Sequence, residues 1–226
     1  MARLPRLVLA GLPHYVMQTS VHGQRLALDD ADLRVLLTAL HDAAARHRGG
    51  VWGYSVLPQA LHLVLCPATS YGLGHMMQML GRRYVPVFNR RHQRSGALWA
   101  GRYGAAVVEP GPWVVAALVH VERLGMAAGA RGAWSSASHH LGRCRDPNLT
   151  EPPEFWALGN TPFERESAWR ARLADELDAA TEAMLDHAVR GGWAAGSATF
   201  AAWATEAAGR PAAPRPAGRP RRLVRD

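Results

Sequence analysis

The stretch LPQALHLVL, residues 57–65, has the pattern of a buried strand broken by one polar side chain, His62. An imidazole there is either an ordinary half-buried strand histidine or what remains of a metal site, because neutral imidazole is a common metal ligand. A second group with chemical potential follows. Arg82, Arg83, Arg90, Arg91, Arg94 and Arg102 flank Tyr84, Phe88 and Trp99. Guanidinium groups pair with phosphates and aromatic rings stack on unpaired bases, so this mixture suits single-stranded DNA. The alternative is a solvated, charged helix face. His92, His139 and His140 have no partner at metal spacing and read as surface residues. Cys66 and Cys144 have no paired-ligand spacing around them, which fits neither a zinc site nor a disulfide framework. The run MMQML, 76–80, reads as core rather than as a binding surface.

These groups sit in a chain of 226 residues, 48% of them hydrophobic, enough to bury a sizeable core. All 26 basic residues are arginine, and the net charge is +8. Excess positive charge points to a polyanionic partner, most often nucleic acid. The tail, 209–226, holds six arginines and one aspartate, so it carries +5 of that charge and leaves +3 on the body. No run of about 18 apolar residues exists to cross a membrane, and the N-terminal apolar patch is too short for a secretory signal. The reading is a cytoplasmic, nucleoid-associated protein.

The elements that must position these residues follow from periodicity. HYVMQTS (14–20) alternates as a strand. Residues 28–48 carry Asp29 and Asp30 as cap candidates and apolar residues at helical spacing. Residues 49–58 and 60–67 form a hairpin. Residues 72–94 read as a helix that Pro86 should kink. Residues 97–109 read as a strand and 111–129 as a helix. The order strand–helix–strand–strand–helix–strand–helix is the split β-α-β arrangement of ferredoxin-like folds. The expected fold is α+β, a ferredoxin-like antiparallel sheet with helices packed on one face and a small C-terminal helical appendage. Helices are expected over 163–189 and 197–208, and the Pro/Arg/Ala-rich stretch from 210 onward reads as disordered.

Six pieces in order, VHGQR, YSVLPQALHLVL, LGRRYVPVFNRRHQRSGALWAGRY, HVERLGMAAG, WSSASHHLG and ALGNTPFER, resemble the REP-associated tyrosine transposases. These lie within the HUH single-strand-DNA transposases. The resemblance spans nearly the whole chain. It implies a transposase-like domain over 1–145, a helical extension over 146–209 and an Arg/Pro-rich tail over 210–226. It also implies chemistry. Two strand histidines at i and i+2 share one face and, with a helix-borne ligand, hold a divalent ion that polarises a scissile phosphate. A helix tyrosine attacks, forming a phosphotyrosine link. Laid on that pattern, the first strand histidine is Ala60 here, leaving His62 as a remnant ligand. His120 stands where the family has its tyrosine, and Leu124 where it has the third ligand. Gly104 replaces a basic residue that often follows the GRY stretch. His120 itself reads as a helix-face residue paired with Glu122, Glu109 or DNA phosphate, and as inactive.

The expected function is therefore recognition of single-stranded or hairpin DNA with strand cleavage lost or reduced. The contacts expected to carry it are Arg25, Arg82, Arg83, Arg90, Arg91, Arg94 and Arg102, with Arg219, Arg221 and Arg222 of the tail as a minor-groove segment. One alternative is an active transposase using Tyr103 or Tyr84 as substitute nucleophile with an altered metal shell. Another is a decaying remnant without a task. No cofactor is expected, magnesium or manganese entering only if cleavage survives. The partner is DNA and not a membrane, and the chain is a monomer or homodimer.

Overall fold

A computed structural model describes residues 5–128 and 134–214. Its first strand, β1 (His14–Thr19), leads through a short turn into α1 (Asp30–Arg46). The Asp29 carboxylate caps α1 by accepting from the Ala31 and Asp32 N–H groups. Leu33, Leu36, Leu37 and Leu40 then fall on one buried face. The hairpin of β2 (Gly50–Val56) and β3 (Ala60–Cys66) closes with the Leu57 N–H donating to the Ala60 carbonyl at 2.8 Å. α2 (Gly72–Arg91), β4 (Gly104–Val108) and α3 (Pro112–Ala127) complete the first half. The second half holds two short helices, α4 (Ala137–His140) and α5 (Pro153–Trp156), and then α6 (Pro162–Ala174) and α7 (Ala179–Gly191). β5 (Ala194–Ala195) and α8 (Ala198–Ala208) end the described chain. Thr161 and Glu164 form a reciprocal capping box on α6, and Asp178 and Ser197 cap α7 and α8.

The sheet order is β2-β3-β1-β4-β5. The first four strands pair antiparallel, as expected for a ferredoxin-like unit, and β5 adds parallel to β4. Alternation along the strands divides the core in two. Val16, Leu61, Leu63 and Leu65 face α1 and α2. Tyr15, Met17, Val64 and Ala106 face α3, α6 and α7, which close the opposite side. The C-terminal stretch thus packs directly on the sheet: Trp169 of α6 is fully buried in that second core, and α8 joins Leu7 and Val107 at the β4–β5 edge.

Three expectations about elements are corrected. The stretch 163–189, expected as one helix, forms α6 and α7, separated at 175–178. The strand expected over 97–109 is formed only from Gly104. Before it, Trp99 makes one isolated bridge to Ser20, and the chain then bends at Gly101, whose φ of 114° is foreign to a strand. The helix expected to reach Arg94 ends at Arg91, with Pro86 inside it. The tail residues Arg219, Arg221 and Arg222 lie outside the described residues.

Candidate functional site

His62 lies on the α3/α7 side of β3, opposite Met17 of β1 and Ser55 of β2. Its ring stacks on Tyr15 with centroids 5.8 Å apart, and its Nδ1 is 2.6 Å from the Tyr15 hydroxyl. The same tyrosine ring meets His120 of α3 edge-on at 5.6 Å. His120 Nε2 in turn stands 3.5 Å from Asp186 Oδ1 of α7. One tyrosine therefore separates two histidines, and an aspartate closes the row. Burial, with the neighbouring His120 as a lesser cause, pushes His62 down to about 4. Burial also lowers His120, although Asp186 opposes it. The Tyr15 phenol is pushed upward, first by burial and then by Asp186. Near neutral pH the two imidazoles are uncharged and the phenol is protonated.

The resemblance implies a divalent ion at this place, and the residues do not fit one. Ala60 and Leu124 offer no lone pair. Nδ1 of His62 is taken up by the hydrogen bond with the Tyr15 hydroxyl, which leaves at most one imidazole nitrogen, and a single nitrogen does not make a metal shell. Among the described residues no group of three or more His, Cys, Asp or Glu side chains is arranged to hold a metal ion. Leu124 instead joins His120, Glu182 and Asp186 around an open hollow of about 610 Å³. Gly104, where the resemblance implies a basic side chain, is required by packing. A Cβ there would come within 2.4 Å of the Val189 carbonyl, so α7 can lie across β4 only over a glycine.

Neither substitute nucleophile is well placed. Tyr84 is fully buried and donates its hydroxyl to the Leu26 carbonyl, and burial raises its phenol. Tyr103 lies under the Arg6 guanidinium at 3.5 Å, and burial raises it too, against the pull of Arg6. Both phenols are held away from the nucleophilic phenolate.

The arginine block divides. Arg83 pairs with Asp42, and Arg91 pairs with Asp29 and Asp32. Arg94 donates to Asn89 at 2.7 Å and to Gln24, and stands over Phe88. Arg25, Arg82, Arg90 and Arg102 are exposed, with no carboxylate within ion-pair distance among the described residues. Arg82 and Arg83 border a hollow of about 440 Å³ with Arg46, His47 and His75, neighbours that the sequence reading did not single out. The stacking partners expected beside the arginines are corrected: Tyr84 and Phe88 are core residues, and only Trp99 is part-exposed.

The histidines expected on the surface are also corrected. His140 is fully buried, its Nδ1 2.6 Å from Oε1 of the equally buried Glu122. The Trp169 indole N–H donates to Glu122 Oε2 at 2.8 Å, and the Ser136 hydroxyl donates to Oε1. Glu122 therefore serves this network rather than His120, and Glu109 binds the Ser197 N–H and hydroxyl. His92 and His139 are part-buried against Asp32 and Glu151. A carboxylate inside the apolar stretch VVAALVHVERLGM was the available signal for this network, since an acid there needs buried donors. Tyr15 and Asp186 had no such signal, because their partners come from distant elements.

No family model matches the sequence, and no curated protein matches it. Solved structures do resemble the fold. One is a REP-associated tyrosine transposase bound to a REP hairpin, with TM-score 0.49 and 11% identity over 68% of this chain and 93% of that one. Another is a putative transposase from Deinococcus radiodurans R1, with TM-score 0.36 and 20% identity over 48% of this chain and 88% of that one.

Proposed function

We propose that this chain binds single-stranded or hairpin DNA and does not cut it. The observation that carries the second half is the Tyr15–His62 pair. The one remaining strand histidine has its Nδ1 engaged by a buried phenol and is held neutral. Its would-be partners Ala60 and Leu124 cannot ligate, and His120 faces Asp186 instead of solvent. A nucleophile and a metal are both wanting for the tyrosine route. Binding is supported by the net charge of +8 and by arginines, Arg102 among them, that have no carboxylate partner among the described residues.

The test mixes purified protein with end-labelled single-stranded DNA carrying a hairpin, in manganese, and reads a denaturing gel. The expected result is an intact strand, no covalent adduct, and binding that weakens steeply with salt. An adduct that disappears in Tyr103→Phe would overturn the reading and establish a substitute nucleophile.

A further inference from the structure

A second cleft, of about 540 Å³, opens where the N-terminal segment crosses the beginning of β4 and the end of α7. That volume lies within the roughly 300–1,000 Å³ typical of small-ligand sites. Four arginines line it: Arg6, Arg102, Arg190 and Arg210. Arg6 donates from Nε and Nη2 to the Tyr103 carbonyl at 3.2 and 3.1 Å. Arg210 donates to the Gly192 carbonyl at 3.0 Å and to the Pro5 carbonyl, with its guanidinium 5.8 Å from the Trp193 ring. Carbonyl oxygens thus fix two guanidiniums in place without neutralising them. Among the described residues no aspartate or glutamate lines the cleft. Arg83 and Arg91 on α2 show the opposite arrangement, each matched to a carboxylate.

The electrostatics are those of a site short of an anion. Arg6 is held below its ordinary pKa by burial, with the charge of Arg102 adding to the effect against the opposing pull of Tyr103. Arg210 is lowered by burial alone. Cations half-withdrawn from water and set beside one another gain from a bound anion more than exposed ones do. The fold builds the cleft at a specific place. Gly192 ends α7 in the left-handed conformation at φ 71°, which turns the chain back toward the sheet. Trp193 then lies against Gly191, where a Cβ would meet the indole nitrogen at 2.0 Å. The cleft is also bordered by Met17 and Thr19, the β1 partners of His62 and Ala60.

We infer that this cleft holds the phosphodiester backbone of single-stranded DNA, with one unpaired base against Trp193. The inference rests on the DNA-binding reading above and locates that binding here rather than on α2. The guanidiniums supply phosphate contacts, and a half-buried indole inside a concave site reaches a base only when the base is unstacked. A duplex keeps its bases inside and offers the cleft only its outer phosphates.

The experiment uses the full chain and a fluorescein-labelled short oligothymidylate, with anisotropy read across a salt series. Arg102 and Arg190 are exposed, so Arg102→Gln/Arg190→Gln leaves the fold intact, which circular dichroism verifies. The expected result is about a tenfold loss of affinity and a log–log salt slope shallower by about 1.4, for two phosphate contacts on a single strand. Arg82→Gln/Arg90→Gln is expected to stay within about twofold of the unaltered protein, as for arginines outside the contact. Unchanged affinity in the cleft variant, with loss in the α2 variant, overturns the cleft and leaves DNA binding standing. Equal affinity for a blunt duplex of the same length overturns the single-strand assignment. No salt-dependent binding by the unaltered protein overturns the DNA reading and this inference with it.

Discussion

On one side of the sheet, Val16, Leu61, Leu63 and Leu65 meet leucines and methionines of α1 and α2. On the other, apolar contacts are interrupted by two polar groups: the row His62–Tyr15–His120–Asp186, and the knot of Glu122, His140, Ser136 and Trp169. The first side is stabilised mainly by area and shape, with the Tyr84 and Tyr54 hydroxyls bonded at its margin to the Leu26 carbonyl and Asp146. The second depends on pairing its polar groups, because an unmatched buried polar group costs far more than a matched one adds; Nε2 of His120 and of His140 are left without a hydrogen-bond partner among the described residues. The comparison teaches where constraint lies. The apolar side tolerates exchange among side chains of similar volume, while the polar side tolerates few single replacements. It is also the side on which the resemblance would put metal and nucleophile, and there His62 and His120 are buried among core side chains.

The strongest way to test this contrast is Glu122→Ala. It leaves the Trp169 indole, the Ser136 hydroxyl and His140 without their acceptor, and a loss of about 3–5 kcal/mol is expected in urea unfolding. Leu63→Ala on the apolar side should cost about 2–5 kcal/mol through its cavity, so the two sides are comparable in worth and differ in kind. A Glu122→Ala loss below about 1 kcal/mol would reduce the network to ordinary packing.

Acid tests the buried histidines next, one on each face of β1 and β3. His62 and His14 both have folded pKa values near 4, against an ordinary 6.5. His14 is fully buried; its Nδ1 donates to the Leu12 carbonyl at 2.8 Å and its Nε2 accepts from the Leu9 N–H at 3.3 Å. Between pH 6.5 and 4 the unfolded chain binds more protons than the folded one. Stability contributed by these histidines is thus fully present above 6.5 and falls as pH drops toward 4, by roughly 3 kcal/mol for each. Unfolding midpoints measured across that window should flatten by about one histidine's share in His62→Leu.

A finer test isolates the pair itself. Tyr15→Phe strands His62 Nδ1 and should cost about 1–3 kcal/mol, whereas Tyr15→Phe combined with His62→Leu removes both partners and should recover most of it. Additive losses in that double-mutant cycle would mean the hydroxyl and the ring do not interact. The smallest effect belongs outside the core. Arg83→Ala breaks an exposed pair with Asp42 and should change stability by less than about 1 kcal/mol.

The apolar side was legible in the sequence in nearly every particular. The leucine spacing of α1, the alternation of β1 and β3 and the hairpin between β2 and β3 are all local patterns. The later caps at Thr161, Asp178 and Ser197 follow the same short-range rules. The strand before Gly104 failed because Trp99 and Leu98 look like strand residues while Gly101 turns the chain. His140 failed because nothing near it announces Glu122, which approaches from another helix. Of the arginines expected on DNA, Arg83 and Arg91 were already committed to carboxylates of α1 and its cap, a pairing that no spacing within α2 reveals.

By itself the sequence determined the order of the elements from β1 to α3, their apolar faces, the absence of lysine, and that positions 60 and 124 carry side chains without a lone pair. Those are properties of residue type and short-range period, written along the chain. The tertiary structure decided which polar groups meet. It set Tyr15 between His62 and His120, laid α7 over Gly104, and gathered Arg6, Arg102, Arg190 and Arg210 around one cleft from both ends of the chain. Hydrophobic burial has no direction and survives averaging over a period. A hydrogen bond or ion pair depends on the distance between two particular atoms, and only the folded chain sets that distance.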